Sequence, residues 1–116
     1  MGFSSYECNH CKKSVLSHNA IDHYRGQVPW RYTQSVWFPK PGMDPIIGYY
    51  DGYGNVTDDD GVEHDVYRMM DKEPEQVYDC MVYHEDCWVE AEKPTKWVPS
   101  NYAEDQGFFV GPQEYR

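Results

Sequence analysis

The apolar positions of this chain come in short runs cut by turn-forming residues. Residues 3–7 predict a short strand leading into the Cys8–Cys11 turn. From Ser14 to Tyr24 the pattern is ambiguous, because Val15, Leu16, Ala20 and Ile21 give a weak helical spacing that Ser17, His18 and Asn19 interrupt. Val28 to Phe38 carries the β-formers Val28, Trp30, Tyr32, Val36, Trp37 and Phe38 with partial alternation and predicts a strand, ended by Pro39-Lys40-Pro41-Gly42. Ile46–Tyr50 predicts a second strand that runs into the turn Asp51-Gly52-Tyr53-Gly54-Asn55. Val56-Thr57 begins the return, Asp58-Asp59-Asp60-Gly61 makes another exposed turn, and Val62 to Tyr67 is a further short strand. The middle of the chain therefore reads as an antiparallel meander of three or four strands.

Past Arg68 the pattern weakens, with Met69 and Met70 as gap-filling core residues. Val77 to Tyr83 is a strand or an approach loop. A short helix should begin at His84 or Glu85, with Glu85 and Asp86 favourably placed in its first turn and Lys93-Pro94 closing it. Ser100 is expected to cap a helical turn through Gln106, with Gly107 ending it and Phe108–Val110 as an edge strand. The fold class expected is α+β: a small antiparallel β-sheet with one or two short helices, in a single domain spanning residues 1–116.

Composition changes this picture in two ways. Hydrophobic residues make up 40% of the 116 residues, yet 11 Tyr, 4 Trp and 4 Phe dominate them, so the core should be built from rings whose hydroxyl and indole groups need partners. The net charge is −10. Binding a phosphate backbone needs clustered Lys and Arg, and the basic residues here are scattered, with Lys12-Lys13 the only adjacent pair. Nucleic acid is thus disfavoured as a partner; the acidity suits a solvated surface, a basic protein partner or mimicry of DNA charge. No run approaches the roughly 18 apolar residues of a membrane span. Met1–Glu7 lacks the regions of a signal peptide, and Tyr6 stands where a myristoylation motif needs Ser or Thr. A reducing, cytoplasmic setting is the expectation, and there four cysteines favour metal over disulfides.

Those cysteines carry the chemistry. Cys8-x2-Cys11 and His84-x2-Cys87 are two halves of a tetrahedral zinc site. The first spacing lets the amides of a tight turn point at the thiolates; the second puts two ligands on one helical turn, facing one ion. Cys80 is four residues before His84 and could share its face only if the helix began earlier, so it stands as the substitute ligand. An all-cysteine set of Cys8, Cys11, Cys80 and Cys87, with His84 supporting it from outside, is the other arrangement. Buried thiols with a core histidine, or disulfides, are the readings without metal. A full set of four protein ligands makes one structural Zn2+, with no open position for a catalytic water.

A Cys-x2-Cys knuckle followed by His-x2-Cys-Trp at a helix start resembles treble-clef zinc fingers, including the first finger of LIM domains, although the segment between the halves is much longer here. More broadly, Gly2-Phe3-Ser4-Ser5-Tyr6-Glu7-Cys8, Tyr50-Asp51-Gly52-Tyr53-Gly54, Tyr83-His84-Glu85-Asp86-Cys87-Trp88 and Asp105-Gln106-Gly107-Phe108-Phe109 together resemble a family of small uncharacterised bacterial and bacteriophage proteins. That resemblance implies a bacterial or phage-encoded protein in the (host) cytoplasm and no reaction.

Outside the metal site, the Tyr50–Asn55 turn is the second candidate. Tyr50, Asp51 and Tyr53 could bind a ligand, and Trp30 and Trp37 could add ring contacts to a partner; the plain alternative is a hairpin turn. Asp58–Gly61 does not register as a calcium loop, since Val56 or Tyr49 would fill the first ligand place. His18, His23 and His64 are the available bases and Cys80 a spare nucleophile, but no hydrolase, phosphate-loop or zinc-protease motif accompanies them. The function expected is a zinc-binding, non-enzymatic protein-interaction module, and the resemblance implies one that is phage-encoded and acts on a host protein. A small-molecule-binding or hydrolytic enzyme using the Tyr50–Asn55 turn with a histidine, and an acidic DNA mimic, are the alternatives.

Overall fold

The computed structural model describes residues 5–69, 80–100 and 102–103. Two antiparallel sheets are built, as the short alternating runs demand. The larger has five strands: β3 (Ser35–Phe38), β4 (Ile46–Tyr50), β5 (Asn55–Asp58), β6 (Glu63–Asp65) and β7 (Met81–His84), in the order β6-β5-β4-β3-β7. The smaller joins β1 (Ser5–Glu7), β2 (Ser14–Val15) and β8 (Tyr102–Ala103) in the order β2-β1-β8. Among the described residues the helices are α1 (His18–His23), α2 (Val66–Met69) and α3 (Glu85–Glu90). The α+β class and the meander through β3, β4, β5 and β6 thus match the sequence pattern.

The core lies between the sheets, and rings fill it. Tyr6 from β1 meets Trp37 of β3 edge-on at 5.3 Å between ring centres, and Trp37 lies 4.6 Å from Tyr50 of β4. All three are essentially inaccessible. The indole N–H that this burial would strand is donated to Ser35 Oγ at 2.6 Å, and that hydroxyl in turn donates to the Gly48 carbonyl at 3.1 Å. Two of the expected partner contacts are therefore core residues: Trp37 and Tyr50 cannot reach a partner, because they seal the two sheets together.

Other expectations shift for local reasons. Only Ser35–Phe38 of the Val28–Phe38 run is strand; Pro29 is followed by a 3-10 turn at Trp30–Tyr32, closed by the Tyr32 N–H to the Pro29 carbonyl at 3.0 Å. The ambiguous Ser14–Tyr24 stretch divides, with Ser14–Val15 as strand and Ser17 capping α1 by accepting the Ala20 N–H. Val62–Tyr67 likewise splits into β6 and α2. Ser100 is not a helix cap: its hydroxyl accepts the Val82 N–H at 2.8 Å and donates to Asn9 Oδ1, and Tyr102–Ala103 pairs with β1. Met70, the start of the Val77–Tyr83 run and the Phe108–Val110 strand lie outside the described residues.

Gly48 lies hard against the neighbouring strand, where an added Cβ would sit 1.9 Å from the Thr57 carbonyl oxygen across the β4–β5 ladder. Backbone cannot swing aside as a side chain can. Gly48→Ala should therefore cost about 3 kcal/mol or more. Gly61→Ala, at φ +82 with nothing within 4 Å of the new Cβ, should cost only the left-handed strain of about 1–2 kcal/mol. Urea unfolding of the two variants checks the difference.

Candidate metal centre

The site begins in the backbone. Cys8 follows β1, and its N–H bonds the Lys13 carbonyl at 2.9 Å while its own carbonyl accepts the Lys12 N–H at 3.1 Å. Lys12 turns the chain at φ +64, a left-handed conformation that the tight knuckle requires. The knuckle is then stitched to β7 by the Asn9 N–H on the Val82 carbonyl at 2.9 Å. Two backbone N–H groups, of His10 at 3.5 Å and His84 at 3.4 Å, point at Cys8 Sγ.

His84 ends β7 and stands at the N-cap of α3, in extended backbone geometry. Its imidazole is held from both sides. Nε2 lies 3.0 Å from the Ser14 carbonyl, which can only accept, so Nε2 carries a proton. Nδ1 then faces Cys11 Sγ at 3.3 Å and Cys87 Sγ at 3.9 Å. Cys87 follows three residues later on the first turn of α3 and is fully buried.

The ligand atoms of Cys8, Cys11, His84 and Cys87 all lie within 4.8 Å of one another. A tetrahedral ion with ordinary Zn–S and Zn–N bonds separates its sulfur and nitrogen ligands by about 3.5 Å, and the two measured Sγ–Nδ1 separations bracket that value. The donor set fits a metal ion, and a hydrogen bond to a carbonyl on the far ring nitrogen is what orients a ligating histidine. Cys80 lies outside the group. It precedes β7, buried in the core, so the helical face it would have to share with His84 does not form.

The groups of the cluster shift one another strongly. Hydrogen bonds from Cys11 and Cys87, with His84 nearby, hold the Cys8 thiol far below its usual range despite its burial. Cys87 goes the other way, pushed up by its contacts with Cys11 and Cys8 and by burial. Burial pulls His84 down, but hydrogen bonds with Cys11 and Cys8 outweigh it and raise the imidazole to about 9. A divalent cation held by these four groups would favour three thiolates and a neutral ring.

Sequence reasoning missed the surroundings of this cluster. Arg31 donates from Nη2 to Cys87 Sγ at 3.8 Å and to Glu90 Oε2 at 2.7 Å. Tyr32 stands edge-on to His84 at 4.9 Å and holds the Lys13 ammonium at 3.3 Å from its hydroxyl. Of the two lysines that follow Cys11, Lys13 is thus engaged by Tyr32 and Lys12 is exposed. No spacing rule links Arg31 to Cys87, since 56 residues separate them.

The second candidate site comes apart. Asp51 spends its carboxylate on its own turn, accepting the N–H groups of Tyr53 at 2.7 Å and Asn55 at 3.0 Å and the Asn55 amide at 2.8 Å. Asp58 closes the next turn in the same way, with Oδ1 accepting from Asp60 and Val62 and Oδ2 at 2.8 Å from His64 Nε2. His18 and His23 lie exposed on α1. Tyr53 and Trp30 stand out from the surface, 65% and 77% exposed. A cleft of about 280 Å³ lies instead beside the knuckle, lined by Glu7, Asn9, Lys12, Tyr83, Val98 and Pro99. No helix among the described residues is long and apolar enough to cross a membrane. No protein-family model, curated protein or solved structure matches the chain.

Two outcomes follow from these contacts. Cys87→Ser should abolish metal retention, measured as metal bound per chain after gel filtration, whereas Cys80→Ser should leave it unchanged. His64 and two backbone N–H groups hold the Asp58 carboxyl below its ordinary range, so its stabilisation is present above the unfolded value of about 3.9 and lost as pH falls through the folded one. Asp58→Asn should accordingly lower Tm at neutral pH, by a gap that closes on acidification below that window.

Proposed function

We propose that this chain is a zinc-stabilised, non-enzymatic protein-interaction module. The observation that carries the reading is the convergence of Cys8, Cys11, His84 and Cys87, with the His84 ring fixed by Ser14 so that Nδ1 faces the sulfurs. Three thiolates and an imidazole in tetrahedral reach are the donor set of structural zinc; softer and borderline ions take sulfur, whereas magnesium and calcium take oxygen. With all four positions supplied by protein, zinc would act as a crosslink. It would join the knuckle between β1 and β2 to the β7–α3 corner, as in treble-clef fingers.

The interaction half of the reading is supported by Trp30 and Tyr53. A tryptophan 77% exposed and a tyrosine 65% exposed leave large apolar faces in water, and such side chains are the usual anchors of protein interfaces. A net charge of −10 favours a partner with a basic surface. If the motif resemblance to bacterial and bacteriophage proteins holds, that partner would be a host protein, in a reducing cytoplasm where the thiolates persist.

Elemental analysis of purified protein should give one zinc per chain. Metal-free protein that folds with its cysteines reduced, or iron in place of zinc, would overturn the metal assignment. For the interaction, immobilised parent protein should retain a specific partner from bacterial lysate that Trp30→Ala and Tyr53→Ala, both folded and zinc-loaded, fail to retain.

A further inference from the structure

Around the ligands runs a second layer of contacts that a simple four-ligand clasp does not require. Arg31, on the Trp30–Tyr32 turn, reaches across to α3 and places Nη2 2.7 Å from Glu90 Oε2 and 3.8 Å from Cys87 Sγ. The other carboxylate oxygen of Glu90 lies 3.5 Å from His10 Nε2, in the knuckle. The turn, the helix and the knuckle therefore meet at one carboxylate, and Arg31 links it to Cys87. On the same guanidinium, the Arg31 Nε–H is buried and has no hydrogen-bond partner.

An ordinary surface ion pair does not explain that geometry. Arg31 and Glu90 could pair through exposed tips with the stem in water, and such pairs contribute little. Burying Nε–H without an acceptor carries a desolvation penalty. In a guanidinium, Nε–H and one N–H of the neighbouring terminal nitrogen lie parallel along one edge, as a fork with two donors. One atom of this fork already contacts the Cys87 sulfur and the other lacks an acceptor. A thiolate is a large anion able to accept both.

Charge points the same way. Three thiolates and a neutral imidazole around a divalent cation leave one negative charge in excess, in a place largely shielded from water. Cys8 already receives the backbone N–H groups of His10 and His84, whereas among the described residues Arg31 is the cation aimed at Cys87. We propose that Arg31 is a positioning residue for the metal centre: the Nε–Nη2 edge of its guanidinium clamps the Cys87 thiolate on the ion and offsets the excess charge, with Glu90 fixing its orientation. The inference rests on the reading of the cluster as a zinc centre. It makes zinc retention, and not only folding, depend on a residue that binds no metal.

The test uses the full zinc-loaded chain and a chromogenic chelator, 4-(2-pyridylazo)resorcinol, at neutral pH. Outer contacts of this kind change metal affinity by about 10- to 100-fold. Arg31→Ala should release zinc at least about ten-fold faster, within that range. Arg31→Lys restores the charge without the fork and should fall between the variant and the parent. Iodoacetamide, with the modified cysteine read by peptide mass spectrometry, should alkylate Cys87 faster in Arg31→Ala while Cys8 reactivity changes less. Zinc release from Arg31→Ala at the parental rate would overturn the clamp, as would Arg31→Lys indistinguishable from parent. So would faster release matched by an equal rise in the global unfolding rate measured in urea. If the parent itself binds no zinc, the failure belongs to the zinc assignment and is seen before any variant is made.

Discussion

Asn9 donates its backbone N–H to the Val82 carbonyl, and Val82 donates its own N–H to the Ser100 hydroxyl. These bonds occupy the edge of β7 that β3 leaves open, since β7 is the terminal strand of the larger sheet. An unpaired edge would be both a loss of hydrogen bonds and a template for association. Here the edge is used to dock the knuckle, and docking the knuckle places Cys8 beside His84. The metal ligands are thus brought together by backbone pairing as well as by any ion, and the ion would reinforce a contact already made.

That contact closes a long stretch of chain, as Cys11 and His84 are 73 residues apart. In the chain-entropy picture a covalent crosslink over such a span stabilises by about 4 kcal/mol, by restricting the unfolded state. A metal clasp acts in the same sense while its ligands hold. The stretch it closes contains β3, β4, β5 and β6 and the ring core of Trp37 and Tyr50, so clasp and core secure the same element from opposite ends. Tyr6 links them, being two residues before Cys8 and in edge contact with both core rings.

The acidity of the chain has a structural use at particular positions. Asp51 and Asp58 turn their carboxylates onto the amides of their own tight turns, where a carboxylate replaces the acceptors that a strand would have supplied. Glu90 ties the 3-10 turn to the knuckle through Arg31 and His10. The rings divide in a parallel way: Trp37 and Tyr50 are spent on the core, and Trp30 and Tyr53 are left facing water. Among the described residues, Trp30 and Tyr53 are thus the strongly exposed rings that the proposed interaction would use.

The sequence by itself determined the pieces whose rules are local. Alternating β-formers between glycine-rich turns placed β4, β5 and β6 because pleat and turn chemistry are set within a few residues. The spacings Cys8-x2-Cys11 and His84-x2-Cys87 exposed the ligand pairs because one turn of chain fixes each pair. Only the tertiary structure decided what depends on packing between distant segments. It put Trp37 and Tyr50 inside, since either face of a sheet can be the buried one until a second sheet arrives. It made Ser100 a partner of Val82 and Asn9, and it converted Val28–Tyr32 from expected strand to a turn carrying Arg31 onto Cys87. It also left Cys80 out of the ligand group, because β7 continues as strand up to His84 and the helix begins only at Glu85, five residues after Cys80.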